Sequence, residues 1–437
     1  MRIGVFGAGY VGLVTAVCLS EYGYDIQVVE TNPEKLAKLR QGINTIYEPG
    51  LTEMLGRNLA LGRLRFTDDA ADTVRSAEVL FLCVGTPPRP DGGADMSQIE
   101  SAMKAVVQHC EEAERKIVVV KSTVPVGTAA WLDKIAKLYA KGKQVQLDVV
   151  SNPEFLREGA AVQDFMHPDR IVIGASSGSA ADKLVQIYEP IDCPKMVTDS
   201  HTAEIIKYAA NSFLATKISF INMVSDLCDE LGANVSQVAE GMGYDERIGR
   251  QFLRAGIGFG GSCFPKDLQA FAHIGREHNV NFGLLDEVMR VNRERPQRML
   301  EKLRKQMWVL SGKTVAVMGL TFKPDTDDVR ESPAAAFISG LLAEGAHVKA
   351  YDPIGVPNFR QMYPSIASQV TFVDSEEELF TGSHAAVLVT EWQQIRQFNW
   401  AAVKELMELP VVLDTRNALE PTQMRELGYD YSSIGSR

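Results

Sequence analysis

The sequence predicts an α/β protein with two Rossmann-like parallel-sheet domains, joined by a long central helix and a helical middle region. Three observations carry that expectation. Short apolar runs alternate with helical patterns through the first two hundred residues, the order that a parallel sheet with crossover helices requires. From about Ala203 to Leu231 one helical run continues with few breakers and is ended by Gly232. From Ser311 onward the opening pattern of the chain returns, with Thr314 to Gly319 echoing Arg2 to Gly7 and Glu344 to His347 echoing Glu21 to Tyr24. The expected division is 1–202, 203–305 and 306–437, which suits a chain of 437 residues.

Arg2-Ile3-Gly4-Val5-Phe6 reads as a buried strand, and Gly7-Ala8-Gly9-Tyr10-Val11-Gly12 follows it directly. An apolar helical run from Leu13 to Glu21 comes next, then a second strand, Tyr24 to Val29, ending at Glu30. This is the dinucleotide-binding fingerprint in strand–turn–helix context. Gly7 permits the tight turn, Gly9 lets a pyrophosphate approach the backbone, and Gly12 lets helix and strand pack closely. The helix N-terminus then faces the phosphates. Glu30 is placed to accept hydrogen bonds from the adenosine ribose, and an acid there repels a 2′-phosphate, which favours NAD over NADP.

Further strands are expected at Val79–Val84, Lys116–Val120, Leu147–Val150 and Arg170–Gly174. Polar residues cluster just after them, at the edge of a parallel sheet where ligands bind. Thr86, Thr123, Glu154 and Glu158 are therefore expected to converge with the glycine turn. Ordinary turn chemistry also accounts for Thr86 and Ser151; it suits Glu154 and Glu158 less well, because they flank the apolar pair Phe155-Leu156.

The central run spans roughly 43 Å as a helix. It is apolar on most faces (Ile205, Ile206, Phe213, Leu214, Ile218, Phe220, Ile221, Val224, Leu227), so burial between domains is expected, and its apolar surface exceeds what one small domain covers, so 203–305 is also expected to form at least a dimer. Lys207 and Asn211 stand one turn apart on it. The lysine either snorkels to solvent or, with Asn211, faces a cleft. A mostly helical stretch continues to about Lys305.

Gly256-Ile257-Gly258-Phe259-Gly260-Gly261-Ser262-Cys263-Phe264-Pro265-Lys266-Asp267 delivers one cysteine to the start of a helix. Pro265 suits the first helical position. The helix N-terminus and the neighbouring lysine both favour thiolate over thiol, with Asp267 one turn away. The alternative is a small buried hydrophobe, the commoner fate of a free cysteine. In the C-terminal repeat Asp352 takes the place of Glu30, but the glycine fingerprint is replaced by Leu320 to Arg330. That half reads as a Rossmann relative without the pyrophosphate turn, one suited to a different phosphate ligand through Lys323 and other cations. Its later strands are expected at Ala385–Thr390 and Val411–Leu413.

Composition narrows the remaining classes. The chain is 45% hydrophobic and 23% charged, with net charge −11, so neither a nucleic-acid nor a membrane-surface partner is expected. The six cysteines are scattered without a C-x-x-C pair, the seven histidines show no metal spacing, and no metal is expected. Cys18, Cys83 and Cys228 lie in apolar patterns and are expected in the core. The N-terminus runs straight into a strand and no apolar run reaches membrane length, so a cytoplasmic protein without a leader is expected.

These residues resemble the UDP-glucose/GDP-mannose dehydrogenase family over essentially the whole chain. The likeness rests on GAGYVG at 7–12, YEPGL at 47–51, VGTP at 84–87, STVPVGT at 122–128 and NPEFLREG at 152–159. It continues with HPDRIVIG at 167–174, the Lys207/Asn211 pair, GFGGSCFPKD at 258–267 and GLTFKPDTDDVRES at 319–332. Ser262 and Phe264, flanking Cys263, resemble the UDP-glucose branch.

The resemblance implies a four-electron oxidation of a sugar C6 alcohol to a carboxylate, with two NAD⁺ used in turn. Cys263 would form a thiohemiacetal with the C6 aldehyde and then a thioester. Lys207 and Asn211 would stabilise the developing oxyanion, Asp267 would handle the proton of the hydrolytic water, and Glu154 and Thr123 would position that water. The division of acid and base duty among Glu154, Lys207 and Asp267 stays open at this level. NAD would contact Gly7, Gly9, Tyr10, Val11, Gly12, Glu30, Lys35, Thr86, Thr123, Glu158 and Arg330. The UDP-sugar would contact Phe155, Leu156, Glu158, Lys207, Asn211, Arg254, Gly260, Lys323 and Arg416, with Arg247 reaching it from a neighbouring subunit of a homo-oligomer that is at least a dimer. A two-electron hydroxyacid dehydrogenase leaves Cys263 and the second α/β unit without a task. A non-enzymatic NAD sensor has no use for Cys263, Lys207 and Asp267 together.

Overall fold

The computed structural model describes residues 1–112 and 114–436. They form two compact units. The first comprises Met1–Ala210 with Gln269–Val280, the second Asn211–Leu268 with Asn281–Arg437.

The first unit is built on β1 (Arg2–Phe6), β2 (Asp25–Val29), β3 (Leu64–Thr67), β4 (Val79–Leu82), β5 (Arg115–Val120), β6 (Gln146–Ser151), β7 (Ile171–Ala175) and β8 (Lys195–Thr198). Their spatial order is β3-β2-β1-β4-β5-β6-β7-β8. The first six strands pair in parallel in the 3-2-1-4-5-6 order of a dinucleotide fold. Continuous apolar strands form here because both faces are covered: Ile3, Val5, Val79, Phe81 and Val119 feed one core, and Phe6, Leu80, Leu82, Val118 and Val120 feed the other. One pairing departs from the wholly parallel expectation. β7 runs antiparallel to β6, joined only at Val150–Ala175 and Ser151–Gly174, and β8 then extends the sheet parallel to β7.

The second unit repeats the plan with β9 (Thr314–Met318), β10 (His347–Tyr351), β11 (Val370–Phe372), β12 (Ala385–Leu388), β13 (Val411–Asp414) and β14 (Asp430–Ser433). The order is β11-β10-β9-β12-β13-β14, all parallel. The chain is thus α/β with two Rossmann-like sheets and a central helix.

That helix runs from Ser200 to Leu231. It starts three residues before the expected Ala203 because Asp199 caps it, accepting the Thr202 N–H at 2.9 Å. The expectation of burial on most faces needs correction. Between 213 and 228 it buries Ala215, Ser219, Ile221, Asn222, Ser225 and Cys228, while Phe213, Phe220, Met223 and Leu227 are exposed. On the buried face Asn222 and Ser219 hydrogen-bond the backbone at Gly256 and Val288. The large apolar side chains, spaced by seven at 213, 220 and 227, fall on a separate stripe. Among the described residues no helix is long and apolar enough to cross a membrane.

Candidate active site

In the first unit the turn after β1 is shaped by its glycines. Gly7 holds φ +93°, and a Cβ on it would lie 2.9 Å from the Cys83 carbonyl oxygen. A Cβ on Gly12 would lie 1.9 Å from the Gly7 oxygen, so only glycine lets the helix Tyr10–Glu21 start this close. A Cβ on Gly9 would meet nothing within 4 Å, which leaves that backbone open to a phosphate. Glu30 ends β2 facing this turn. Its carboxylate accepts the Ala8 N–H at 3.3 Å and the Asn32 N–H at 2.9 Å, with Lys35 Nζ at 3.7 Å. The residues present fit a dinucleotide.

The strand ends beside the turn are stitched together. Thr86 Oγ1 donates to the Thr123 carbonyl at 2.8 Å, and Ser122 Oγ to the Val84 carbonyl at 2.7 Å. The loop after β6 carries Glu154, whose two oxygens serve different partners. One accepts from Lys207 Nζ at 3.0 Å, the other from the Leu156 N–H at 2.6 Å. Lys207 does not snorkel; it is 3% exposed. Burial pushes the Glu154 carboxyl up, but the Lys207 charge, the Leu156 N–H and the more distant Lys121 charge together hold it below the usual carboxylate range. Phe155 is flanked by two cations, with the Arg170 guanidinium 3.6 Å and Lys207 Nζ 5.4 Å from its ring centre. Leu156 is half-buried and Glu158 buried on the same loop. A small cavity lined by Ser122, Thr123, Ser151, Glu204 and Lys207 opens at these strand ends.

In the second unit the glycine-rich loop is fastened from several sides. Asn292 accepts the Phe259 N–H at 2.8 Å and donates back to the Phe259 carbonyl at 2.9 Å. The buried Arg295 donates to the Gly256 carbonyl at 3.2 Å, and Asn222 accepts the Gly256 N–H at 2.8 Å. A Cβ on Gly260 would lie 2.2 Å from the Glu331 oxygen, and the Gly261 N–H donates to the Arg330 carbonyl at 2.8 Å. The loop delivers Cys263, half-buried, to the N-cap of the helix Phe264–Glu277, its carbonyl accepting the Asp267 N–H at 2.9 Å. That bond starts the helix at Phe264, one residue before the expected Pro265. Asp267 is 1% exposed, one oxygen accepting from Asn211 Nδ2 at 2.6 Å and the other from Lys266 Nζ at 2.8 Å.

The C-terminal cations sit differently from one another. Arg416 donates Nε to the Val389 carbonyl at 2.8 Å, Nη1 to Gly258 at 3.1 Å and Nη2 to Phe322 at 3.3 Å, so it ties three loops of this unit. Lys323 lies over the Phe322 ring. Arg330 is gripped by Asp328 through Nε and Nη2, both at 2.8 Å. Arg247 pairs with Asp245 at a highly exposed position, and Arg254 is exposed. Asp352, the counterpart of Glu30, is sealed: it accepts the Leu320, Ile354 and Gly355 N–H groups at 2.6, 3.0 and 2.6 Å, and Trp392 Nε1 at 3.2 Å. Asp352 thus serves the backbone of its own turn.

Several groups escaped the sequence reading. Lys121, buried at the end of β5, donates to Asn152 Oδ1 at 3.0 Å, and Tyr188 donates to the same oxygen at 2.6 Å. Burial pushes the Lys121 ammonium down to about 8. Glu204 accepts the Gly127 N–H at 2.6 Å, the Ala129 N–H at 3.0 Å and Ser151 Oγ at 2.9 Å; burial, the largest influence, raises its carboxyl. The only signal for Lys121 was a lysine directly after the apolar run Ile117–Val120; Asn292 and Arg295 stand three apart on one helix, as solvent-facing polar residues also do.

Comparison with known proteins agrees with these features. Models of the UDP-glucose/GDP-mannose dehydrogenase family match the NAD binding domain at 1–192, the central domain at 201–294 and the UDP binding domain at 316–421. A UDP-glucose 6-dehydrogenase of Bacillus subtilis is 42% identical over 437 residues, covering 100% of this chain and 98% of its own. One from Pseudomonas aeruginosa is 42% identical over 445 residues, covering 100% and 97%. Among solved structures, a UDP-glucose dehydrogenase of the archaeon Pyrobaculum islandicum superposes with TM-score 0.90 at 40% identity, over 97% of this chain and 95% of that one. A UDP-D-ManNAc dehydrogenase from Pyrococcus horikoshii gives 0.86 at 27% identity, over 100% and 99%. With a full set of family domains in order and full-length relatives at this identity, the chain belongs to the UDP-glucose/GDP-mannose dehydrogenase family.

Proposed function

We propose that the protein oxidises the C6 alcohol of UDP-glucose to the carboxylate of UDP-glucuronate, with two NAD⁺ per sugar and Cys263 as nucleophile of the second oxidation. One observation carries the reading most directly. In the second unit Cys263 caps the helix that carries Asp267 one turn on, and Asn211 holds that carboxylate at 2.6 Å. The full-length UDP-glucose 6-dehydrogenase relatives support the choice of sugar. NAD, when bound, supplies the hydride acceptor in both oxidations.

The protein's own groups divide the rest. An aldehyde cannot release hydride until a nucleophile adds, and the Cys263 thiolate adds to C6 to give a thiohemiacetal. Oxidation of that carbon leaves a thioester, which water cleaves to the carboxylate and free thiol. Lys207 stabilises the oxygen charge that develops at C6 with Asn211 as neutral donor, a contribution of roughly 3 kcal/mol per donor. Asp267 takes the water proton; Glu154 and Thr123 orient the water. NAD contacts fall to Gly7, Gly9, Tyr10, Val11, Gly12, Glu30, Lys35, Thr86, Thr123, Glu158 and Arg330. Sugar-nucleotide contacts fall to Phe155, Leu156, Glu158, Arg254, Gly260, Lys323 and Arg416, with Arg247 contributed by a second subunit. We assign these roles to segments 1–202, 203–305 and 306–437 of a cytoplasmic homo-oligomer, at least a dimer, formed along the exposed Phe213–Leu227 stripe.

The test is NADH release from a panel of nucleotide sugars. Two NADH per UDP-glucose, with NADP a poor substitute because Glu30 repels its 2′-phosphate, is the expected result. A preference for GDP-mannose or UDP-N-acetylhexosamines, or one NADH per sugar, would overturn it.

A further inference from the structure

The motif Tyr47–Leu51 has no part in the chemistry above. Its acid, Glu48, is buried, and it is distant in sequence from what it holds. One carboxylate oxygen accepts the Gly159 N–H at 2.7 Å; the other accepts the Ala161 N–H at 2.7 Å and the Val162 N–H at 3.4 Å. The Tyr10 hydroxyl donates to the first oxygen and itself accepts from the Gly159 N–H at 2.8 Å. The short helix Ala161–Met166 has no capping side chain at its own N-cap, so Glu48 satisfies its first N–H groups.

Neighbouring amides of the loop are also taken by carboxylates, Leu156 by Glu154 at 2.6 Å and Arg157 by Asp164 at 2.8 Å. Of these three acids, Glu48 alone comes from a distant part of the chain. Through Tyr10 it ties the loop to the glycine turn. The Gly159 N–H belongs to the rigid peptide plane that begins at Glu158, so fixing it also fixes the direction in which the chain leaves Glu158. Hydrogen bonds to a charged carboxylate are about twice as strong as neutral ones, which makes the tie stiff.

We propose that Tyr10 and Glu48 form a strut through which the cofactor-binding turn sets the shape of the 154–162 loop, so that Glu48 is a positioning residue for Glu158. The catalytic part of this rests on the function proposed above; the mechanical part does not. Hydrogen exchange on the full chain, with NAD as the only ligand, addresses the mechanical part. In the wild type NAD is expected to slow exchange of the 156–162 amides severalfold. In Tyr10→Phe, read at saturating NAD, the slowing at 160–162, away from the NAD contact at Glu158, is expected to disappear. Unchanged slowing there in Tyr10→Phe would overturn the strut. Steady-state kinetics with UDP-glucose address the catalytic part. Glu48→Gln should lower kcat about tenfold per folded enzyme, with KM for NAD moved less than kcat, and Tyr10→Phe combined with Glu48→Gln should be no worse than the weaker single variant. A rate loss explained wholly by fewer folded molecules, or losses that multiply in the double variant, would leave Glu48 a stability residue and overturn the positioning role. If the wild type turns over no UDP-glucose, the proposed function fails, while the exchange result still decides the strut.

Discussion

Cys263 sits where a backbone turn hands over to a helix, and its position defines the sharpest experiment. Cys263→Ala should abolish steady turnover of UDP-glucose while sparing the first hydride transfer more than the second, because only the second needs an adduct. Cys263→Ser can add to the aldehyde but would leave an oxygen ester that hydrolyses more slowly, so mass spectrometry of quenched enzyme should find a covalent sugar adduct. Two NADH per sugar from the alanine variant would return Cys263 to a packing role. Lys121 allows a second residue-scale prediction. Its ammonium is pushed by burial from 10.5 to about 8, with the Cys83 and Glu154 charges acting against that shift and Lys207 adding to it. Between those values the unfolded chain keeps a proton that the folded chain has released. Stability from this group is therefore fully present above the unfolded value and lost as pH falls through about 8. Lys121→Met removes the slope. The unfolding free energy of the wild type relative to the variant should rise by about 3 kcal/mol across that window, at about 1.4 kcal/mol per pKa unit. Denaturant titrations at a series of pH values measure it, and a flat difference would refute the buried charge.

The turn after β1 separates two duties within one element. Gly12 is required by the fold, since its Cβ would enter the Gly7 carbonyl, whereas Gly9 faces open space. Gly12→Ala should cost about 1–3 kcal/mol through forced backbone shifts, seen as a lower Tm without any ligand. Gly9→Ala should keep the apo Tm within a degree or two and instead weaken NAD binding in calorimetry, because the added methyl occupies the path of the phosphate. Equal losses of Tm in both variants would contradict this division. The helix Phe264–Glu277 shows a comparable economy. Its first turn carries Asp267 and follows Cys263, while Phe271, further along, stacks on Tyr208 with ring centres 5.7 Å apart.

At the scale of the molecule the central helix leaves an apolar stripe of Phe213, Phe220, Met223 and Leu227 exposed, three of them spaced by seven. In the dimer proposed above, a second copy covers this stripe. Phe220→Glu combined with Leu227→Glu places charge only at exposed positions, so the protomer should fold with its Tm nearly unchanged while light scattering reports a monomer. Activity should fall as well, because Arg247 would lose the subunit it serves. An unchanged mass in the double variant would move the interface elsewhere.

Much of this architecture was legible from local pattern. Continuous apolar strands, the glycine turn, the long helix and the repeat of the first unit's opening in the second all depend on residues near in sequence, so spacing alone reports them. Edge strands were not legible. Leu64–Thr67, Lys195–Thr198, Val370–Phe372 and Asp430–Ser433 are partly exposed and lack an apolar run, because an edge position buries fewer side chains. The antiparallel entry of β7 was equally invisible, since a buried strand reads the same in either direction. The residue types suited to the chemistry were plain in the sequence: a cysteine before a helix, and a lysine and an asparagine one turn apart. Which partners they meet was decided by tertiary structure alone. Glu154 meets Lys207 across 53 residues and Asp267 meets Asn211 across 56. The sequence predicted more apolar surface on the central helix than one domain covers, but which side chains the chain's own core takes and which it leaves exposed was decided by tertiary packing.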